Sequence, residues 1–172
     1  MGEHVASWIM GFFEGDSGKL IAIFIISMLP IIELRGAILV AALPMFGVNW
    51  YTAFIVSVIG NMLPIPFILL FLDVVFNFMK KHNIFKSAVL KLEERARSKK
   101  DRVSKFEFWG LAIFVGIPLP GTGGWTGSLI ATVLKMDKKR AFLSILIGVL
   151  GAGVIVTLIS YGIIGNLIGF FS

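Results

Sequence analysis

The chain has 172 residues, of which 57% are apolar, and its mean hydropathy is +0.92. Soluble domains average about 45–50% apolar residues, so the composition excludes an ordinary soluble domain and indicates an all-α integral membrane protein. The chain has no cysteine and only two distant histidines, so we expect no metal site and no cofactor. Its net charge of +6 is concentrated beside apolar segments, where it orients membrane proteins, and does not indicate a nucleic-acid partner.

Residues 1–19 are predicted to form an interfacial helix. Their apolar side chains at positions 5, 8, 9, 12 and 13 share one helical face. The start of this segment is acidic and its apolar run is short, which argues against a signal peptide.

Residues 20–43 are apolar except at their centre, where the stretch LPIIELRGAIL contains Pro30, Glu33, Arg35 and Gly36. Burying two ionisable groups at membrane depth costs roughly several kcal/mol each on insertion scales. A hairpin tip that lies in a cavity removes much of this cost, so we predict a re-entrant hairpin with these residues at its tip. Arg35 suits a phosphate or a carboxylate, and Glu33 is a candidate for proton exchange during transport. The alternative is that the two charges only neutralise each other.

Residues 53–79 are predicted to cross the membrane once, with a kink at Asn61, Pro64 and Pro66. This segment contains one charge, Asp73, which either pairs with a cytoplasmic lysine or acts as a proton relay.

Residues 80–107 contain ten Lys or Arg and four Asp or Glu, and residues 135–140 carry a net charge of +3. The positive-inside rule places both segments in the cytoplasm, the first of them with a surface helix. The apolar residues 108–134 between them must then enter and leave from the same side. We therefore predict a second re-entrant hairpin, whose non-helical tip is PLPGTGG.

This second tip combines two prolines, which favour extended backbone, with glycines that allow a ligand to approach closely. Thr122 or Thr126 is predicted to cap the following half-helix, whose N-terminus would help to bind an anion. The alternative is that the glycines only let the tip turn tightly. The predicted binding residues of both tips are Glu33, Arg35, Gly36, Pro118, Pro120, Gly121, Thr122, Gly123 and Gly124.

Residues 141–171 form a second predicted span without charges. A shift of 88 residues superposes Pro30 on Pro118 and Gly36 on Gly124, so residues 20–79 and 108–172 are interpreted as an inverted repeat within one membrane domain, 1–172. The glycines at 165 and 169 have the spacing of helix-packing motifs, compatible with intramolecular packing or a dimer face, and we expect a homodimer.

The sequence resembles the small multidrug export protein family through ELRGAI at 33–38, PIPF at 64–67, DVV at 73–75 and GLAIFVGIPLPGTGGWTGSLIA at 110–131. That family is similar to the DedA membrane proteins, which have two facing re-entrant loops. Some DedA members are implicated in ion-coupled translocation of undecaprenyl phosphate. The resemblance implicates Glu33, Arg35 and residues 118–124. The chain departs from it at Leu39, where relatives often have proline, and in lacking an arginine in the second hairpin.

Together these patterns predict a multi-pass plasma-membrane transporter or lipid translocase, coupled to protons or ions, with an anion site between two re-entrant hairpins. Its expected partners are membrane lipids and an anionic lipid or small-molecule substrate, either a polyprenyl phosphate carrier or a small amphiphile. The alternative is a non-transporting membrane scaffold or assembly factor. No arrangement of nucleophile and base or of metal ligands is visible, so we expect no enzymatic activity.

Overall fold

A computed structural model describes residues 15–81 and 100–171, which are helical and contain no strand. The helices of this part of the chain are α1 (Asp16–Met28), α2 (Glu33–Ala42), α3 (Trp50–Met62), α4 (Ile65–Lys81), α5 (Lys100–Gly116), α6 (Gly124–Val133) and α7 (Lys138–Phe171). Most of the predicted interfacial helix and cytoplasmic surface helix lies outside the described residues. Residues 16–19 of the predicted interfacial segment belong to α1, and residues 100–107 of the predicted cytoplasmic segment belong to α5.

The described residues fall into two compact units. The first unit contains residues 15–61 and 153–171, and the second contains residues 62–81 and 100–152. The short break at residues 63–64 separates α3 from α4, at the position where a kink was predicted.

In the first unit, α1 and α2 pack together as a helical hairpin. The chain turns at residues 29–32 because Pro30 has no N–H and restricts the residue before it; Leu29 is extended, with φ −69° and ψ 134°. The core of the hairpin contains small side chains, Ala37 and Ala41, which let the helices approach each other and pack with Ile23 and Ala53.

In the second unit, α5 and α6 form another hairpin, with α4 packed against α6. The chain leaves α5 at Gly116 and turns through residues 117–123 before α6 begins. A β-carbon added to Gly127 of α6 would lie 2.6 Å from the side chain of Val115 and 3.4 Å from that of Ile145. Glycine at this position therefore allows α6 to pack closely against its neighbours.

Large apolar side chains are exposed on every described helix, among them Ile25, Ile55, Phe67, Ile113 and Leu158. Two segments, Trp50–Leu72 and Lys138–Gly162, are long and apolar enough to cross a membrane, with mean hydropathies of 2.3 and 2.7. Only 33% and 44% of their most apolar windows are buried, whereas the core helix of a soluble protein is mostly buried. The exposed apolar surface of these helices is suited to an apolar solvent, which indicates a membrane protein.

The same order of elements recurs along the chain. Helix α5 ends 88 residues after α1 ends, and α7 begins 88 residues after α3 begins. Positions 33–42 and 123–132 have an identical order of buried, half-buried and exposed residues, but their offset is 90. The burial pattern of α6 is therefore shifted by two residues from the offset of 88, and it aligns Gly36 with Thr126 rather than with Gly124. The second turn, residues 117–123, is longer than the first turn, residues 29–32. The inversion of the two repeats in the membrane stays a prediction.

Candidate functional site

Glu33 and Arg35, the two ionisable residues predicted at the first tip, contact each other at the start of α2. Nη1 of Arg35 donates a hydrogen bond to Oε2 of Glu33 at 3.1 Å. The Glu33 side chain is 6% exposed and that of Arg35 is 14% exposed. A buried ion pair loses much of its hydration, and removing one partner leaves an uncompensated charge, at a typical cost of about 3–5 kcal/mol. The pair is therefore a strong local constraint on the hairpin.

The backbone of Glu33 is held in a conformation that L-residues rarely adopt. Its φ is +52°, and its N–H donates to the carbonyl oxygen of Leu29 at 2.9 Å. The left-handed conformation costs a non-glycine residue roughly 1–2 kcal/mol. Such strain is most often retained at functional sites. At Glu33 it accompanies a carboxylate held against a guanidinium inside an apolar hairpin.

Gly36 has a packing role in the first turn of α2. A β-carbon at this position would collide with the side chain of Ile32, which lies over the start of the helix. This contact accounts for the glycine, and the predicted role of Gly36 in ligand binding stays a prediction.

The second tip is an ordered turn between α5 and α6. Gly121 has φ +83°, a conformation that favours glycine. The hydroxyl oxygen of Thr122 lies 2.7 Å from the carbonyl oxygen of Ile117 and 2.8 Å from that of Leu119, and it donates its proton to these acceptors. Thr122 therefore closes the turn around Pro118 and Pro120.

The N-cap residue of α6 is Gly123, in extended conformation, which has no side chain to cap the helix. The predicted capping role of Thr122 or Thr126 stays a prediction. Gly123 and Gly124 are both buried at the helix start. Their role in binding an anion stays a prediction.

The remaining predicted site residue, Asp73, lies on α4, but its side chain is outside the described set. Glu33 and Arg35 belong to the first unit and residues 118–124 to the second. Within residues 15–81 and 100–171, no three His, Cys, Asp or Glu side chains are grouped as metal ligands would be.

The apolar helices of the first unit contain several buried polar side chains, of which the sequence indicated only Asn61. Ser57 and Asn61 on α3 are 0% and 1% exposed, and Thr157 and Ser160 on α7 are 7% and 3% exposed. Each has a side-chain oxygen without a hydrogen-bond partner in the described part of the chain. Ser57 and Asn61 are four residues apart and Thr157 and Ser160 are three apart, so each pair shares one helical face. This spacing was the sequence signal that could have indicated them.

The first unit also contains an apolar groove of about 370 Å³, with Trp50, Phe54, Thr157 and Tyr161 among its lining residues. The hydroxyl of Tyr161 donates to the carbonyl oxygen of Val48 at 2.7 Å. Glu33 and Arg35 are not part of its lining.

Comparison with known families gives one informative match. The sequence model of the family described as "Putative small multi-drug export protein" matches residues 33–155, which include Glu33, Arg35 and the second tip. Among curated proteins and among solved structures, nothing matches this chain.

Proposed function

This chain belongs to the small multi-drug export family, and we propose that it is a plasma-membrane transporter or lipid translocase that binds an anionic head group at Arg35. In this proposal Glu33 exchanges a proton as the anion binds and leaves. The family name indicates a transporter-like export role; the anion, the coupling and the DedA-like mechanism belong to the proposal.

The contact that carries the proposal is the buried one between Arg35 Nη1 and Glu33 Oε2, at 3.1 Å. A structural role alone is a poor explanation for it, because apolar residues of similar volume often replace buried ion pairs without loss of stability. Ionisable residues within membrane segments are usually functional. A guanidinium has five donors in a planar fork, so it can hold a carboxylate and a phosphate together.

An amphiphile suits the surroundings of this pair. Residues 29–32 directly precede Glu33, and their apolar members are exposed, with Ile31 92% exposed. A phosphate or carboxylate at Arg35 would thus leave its hydrocarbon tail beside an apolar turn. We propose a polyprenyl phosphate carrier or a small anionic amphiphile as the substrate class.

The proposed topology follows from helix length and charge. Helices α1 and α2 have 13 and 10 residues, about 20 and 15 Å at 1.5 Å per residue, whereas the hydrocarbon core is about 30 Å thick. Neither helix can cross alone, so we propose that the hairpin is re-entrant. The apolar part of the second hairpin is equally short, Phe106–Gly116 followed by a 10-residue helix. Residues 80–107 and 135–140 would then be cytoplasmic.

Pro118, Pro120, Gly121, Thr122, Gly123 and Gly124 are retained as candidate binding residues of the second hairpin. We propose that the protein catalyses no reaction. The alternative function is a membrane scaffold or assembly factor, which would have no need to bind an anion at Arg35 or to move it.

The test is binding of farnesyl phosphate to the protein in lipid nanodiscs, by calorimetry, with farnesol as the matched ligand without phosphate. We expect wild type to bind only the phosphate. Arg35→Ala should lose binding by about 10–100-fold, the equivalent of one charge-assisted hydrogen bond, and Arg35→Lys by less. Arg140→Ala removes an exposed arginine and should have no effect.

Because Arg35→Ala leaves Glu33 buried and uncompensated, the double variant Glu33→Gln/Arg35→Met is the control for folding. It should fold and still fail to bind. Equal binding of farnesol and farnesyl phosphate by wild type, or wild-type affinity in Arg35→Ala, would contradict the anion site. Binding without movement of the phosphate across proteoliposomes would contradict transport, and the absence of both binding and movement would favour the scaffold.

A further inference from the structure

A second polar feature of the first unit lies where α1 and α3 end. Nδ2 of Asn61 donates to the carbonyl oxygen of Ser27 at 3.2 Å. Ser27 is in the last turn of α1 and Asn61 in the last turn of α3, so this bond joins the C-terminal turns of two helices. Asn61 is also the central residue of the apolar segment Trp50–Leu72. The junction therefore lies near the middle of a candidate membrane span.

The electrostatic field at this junction favours a cation. The C-terminus of a helix carries a partial negative charge of about half an elementary charge, which basic side chains in the last turn commonly offset. The last turns of α1 and α3 contain no basic residue. Broken helices of transporters use such C-terminal ends to hold coupling cations.

Side-chain oxygens at the junction have no hydrogen-bond partner in the described residues. They are Oδ1 of Asn61 and Oγ of Ser57, in side chains 1% and 0% exposed. The two residues are one turn apart on the same face of α3. The orientation of the Asn61 side-chain amide is fixed, because the carbonyl oxygen of Ser27 can accept a hydrogen bond only from its NH₂ group. The amide oxygen Oδ1 is therefore the acceptor that is left for a ligand.

The hydroxyl of Ser27 adds a third oxygen against α3. It donates to the carbonyl oxygen of Phe24 at 2.7 Å, which leaves its own lone pairs as acceptors. A β-carbon on Gly60, between Ser57 and Asn61, would collide with this oxygen. The Ser27 hydroxyl therefore lies against the same stretch of α3 as the two unpartnered oxygens.

We infer that this junction binds a monovalent metal cation, with Na⁺ as the best candidate. The ligands are Oδ1 of Asn61 and the hydroxyl oxygens of Ser57 and Ser27. All are neutral hard oxygens, whereas Ca²⁺ and Mg²⁺ sites depend on carboxylates. A bound cation would satisfy the buried acceptors and the uncompensated helix ends together. Only the further step, that this cation drives transport, rests on the proposed function.

The experiment measures thermal unfolding of the purified chain in detergent while NaCl replaces choline chloride at constant ionic strength. A ligand that binds the folded state raises the melting temperature with its concentration, so we expect a saturable rise with Na⁺. Ser57→Ala should shift half-saturation to about three- to tenfold higher Na⁺, the effect of one lost neutral ligand, and Asn61→Ala should abolish the response.

Ser160→Ala is the matched control, since Ser160 is also a buried serine with an unpartnered hydroxyl in the same unit. It should keep the wild-type Na⁺ response. If Asn61→Ala fails to fold, Ser57→Ala against Ser160→Ala decides the question. The inference is overturned if the melting temperature of wild type does not rise with Na⁺, the result expected when a buried water fills the junction. It is also overturned if Ser57→Ala and Ser160→Ala need the same Na⁺ concentration for half-saturation.

Arg35→Ala separates this site from the anion site. It should lose farnesyl phosphate binding and keep the Na⁺ response. A Na⁺ response in a wild-type protein that does not bind the phosphate would refute the proposed function and leave the cation site standing.

Discussion

The carbonyl oxygen of Phe24 lies so close to Gly60 that a β-carbon on Gly60 would be 2.6 Å from it. The same relationship recurs 88 residues later, where a β-carbon on Gly148 would be 2.6 Å from the carbonyl oxygen of Ala112. In the first unit α1 therefore packs closely against α3, and in the second unit α5 packs closely against α7. In both cases a glycine lets the two helix backbones come into contact. Small residues at such crossings are typical of helix packing in membranes.

Replacing either glycine by alanine should destabilise the protein. The added methyl group would meet a carbonyl oxygen of the helix backbone, which cannot rotate away as a side chain can. We expect Gly60→Ala and Gly148→Ala each to lower the free energy of unfolding by about 1–3 kcal/mol, the usual cost of overpacking. Thermal unfolding in detergent micelles measures the change.

Gly151 provides the control, one turn further along the same helix as Gly148. Nothing lies within 4 Å of a β-carbon built at Gly151. Gly151→Ala should therefore stabilise α7 by about 1 kcal/mol through helix propensity alone. Equal effects of Gly148→Ala and Gly151→Ala would show that the close approach at Gly148 is not present.

Much of the helix pattern followed from the sequence, because prolines and charges interrupt otherwise apolar runs. Pro30 and the pair Pro118 and Pro120 indicated where α1 and α5 end, and the described helices end there. The contact between Glu33 and Arg35 corresponds to the alternative in which the two charges neutralise each other, since two charges in one apolar segment have few other ways to be compensated.

The missed features depend on distances that sequence spacing does not contain. A gapless offset of 88 aligned Gly36 with Gly124, but the second turn is longer than the first, and burial aligns Gly36 with Thr126. The hydroxyl of Thr122 reaches back to the carbonyl oxygens of Ile117 and Leu119, contacts that its sequence position did not indicate. The bond from Asn61 to Ser27 spans 34 residues and has no local sequence signal.

Lys135 provides a second test of the described backbone. It lies just after the C-cap residue of α6, Leu134, and has φ +52°. Its N–H donates to the carbonyl oxygen of Thr132 at 3.0 Å, and the N–H of Met136 donates to the carbonyl oxygen of Ala131 at 3.0 Å. This is the Schellman arrangement, in which glycine is preferred. Lys135→Gly should therefore raise the free energy of unfolding by about 1 kcal/mol.

Lys139→Gly is the matched substitution, because Lys139 is an equally exposed lysine within the first turn of α7. It should lower stability, since glycine is unfavourable in a helix. If Lys135→Gly destabilised the protein as Lys139→Gly does, the left-handed conformation at Lys135 would be wrong.

The proposed topology is testable by labelling, since the chain has no cysteine of its own. Single cysteines at Ser98 and Lys138 should both react only with a reagent that reaches the cytoplasm, because basic segments stay inside. A cysteine at Asn49, in the exposed connection before α3, should react from outside. Opposite labelling of Ser98 and Lys138 would mean that residues 108–134 cross the membrane, and the second hairpin would not be re-entrant.

The last prediction concerns coupling between anion and proton at the first tip. The Glu33 carboxylate accepts a hydrogen bond from the Arg35 guanidinium at 3.1 Å, so an anion that binds Arg35 competes with it for the same positive charge. A proton on Glu33 removes this competition. Proton and anion should therefore bind together, and by linkage each should tighten the binding of the other. Anion affinity in the wild type should rise as the pH falls.

Glu33→Gln imitates the protonated carboxyl group without its titration. It should bind farnesyl phosphate at least as tightly as wild type, with no dependence on pH, and should fail to concentrate the phosphate against a gradient in proteoliposomes. Asp16→Asn makes the same change of charge at an exposed residue of the same unit and should leave the pH dependence intact. If Glu33→Gln kept the wild-type pH dependence, Glu33 would not be the coupling carboxylate. Asp73, the other predicted proton relay, would then be the residue to replace, because it is the one acidic residue in the apolar segment 53–79.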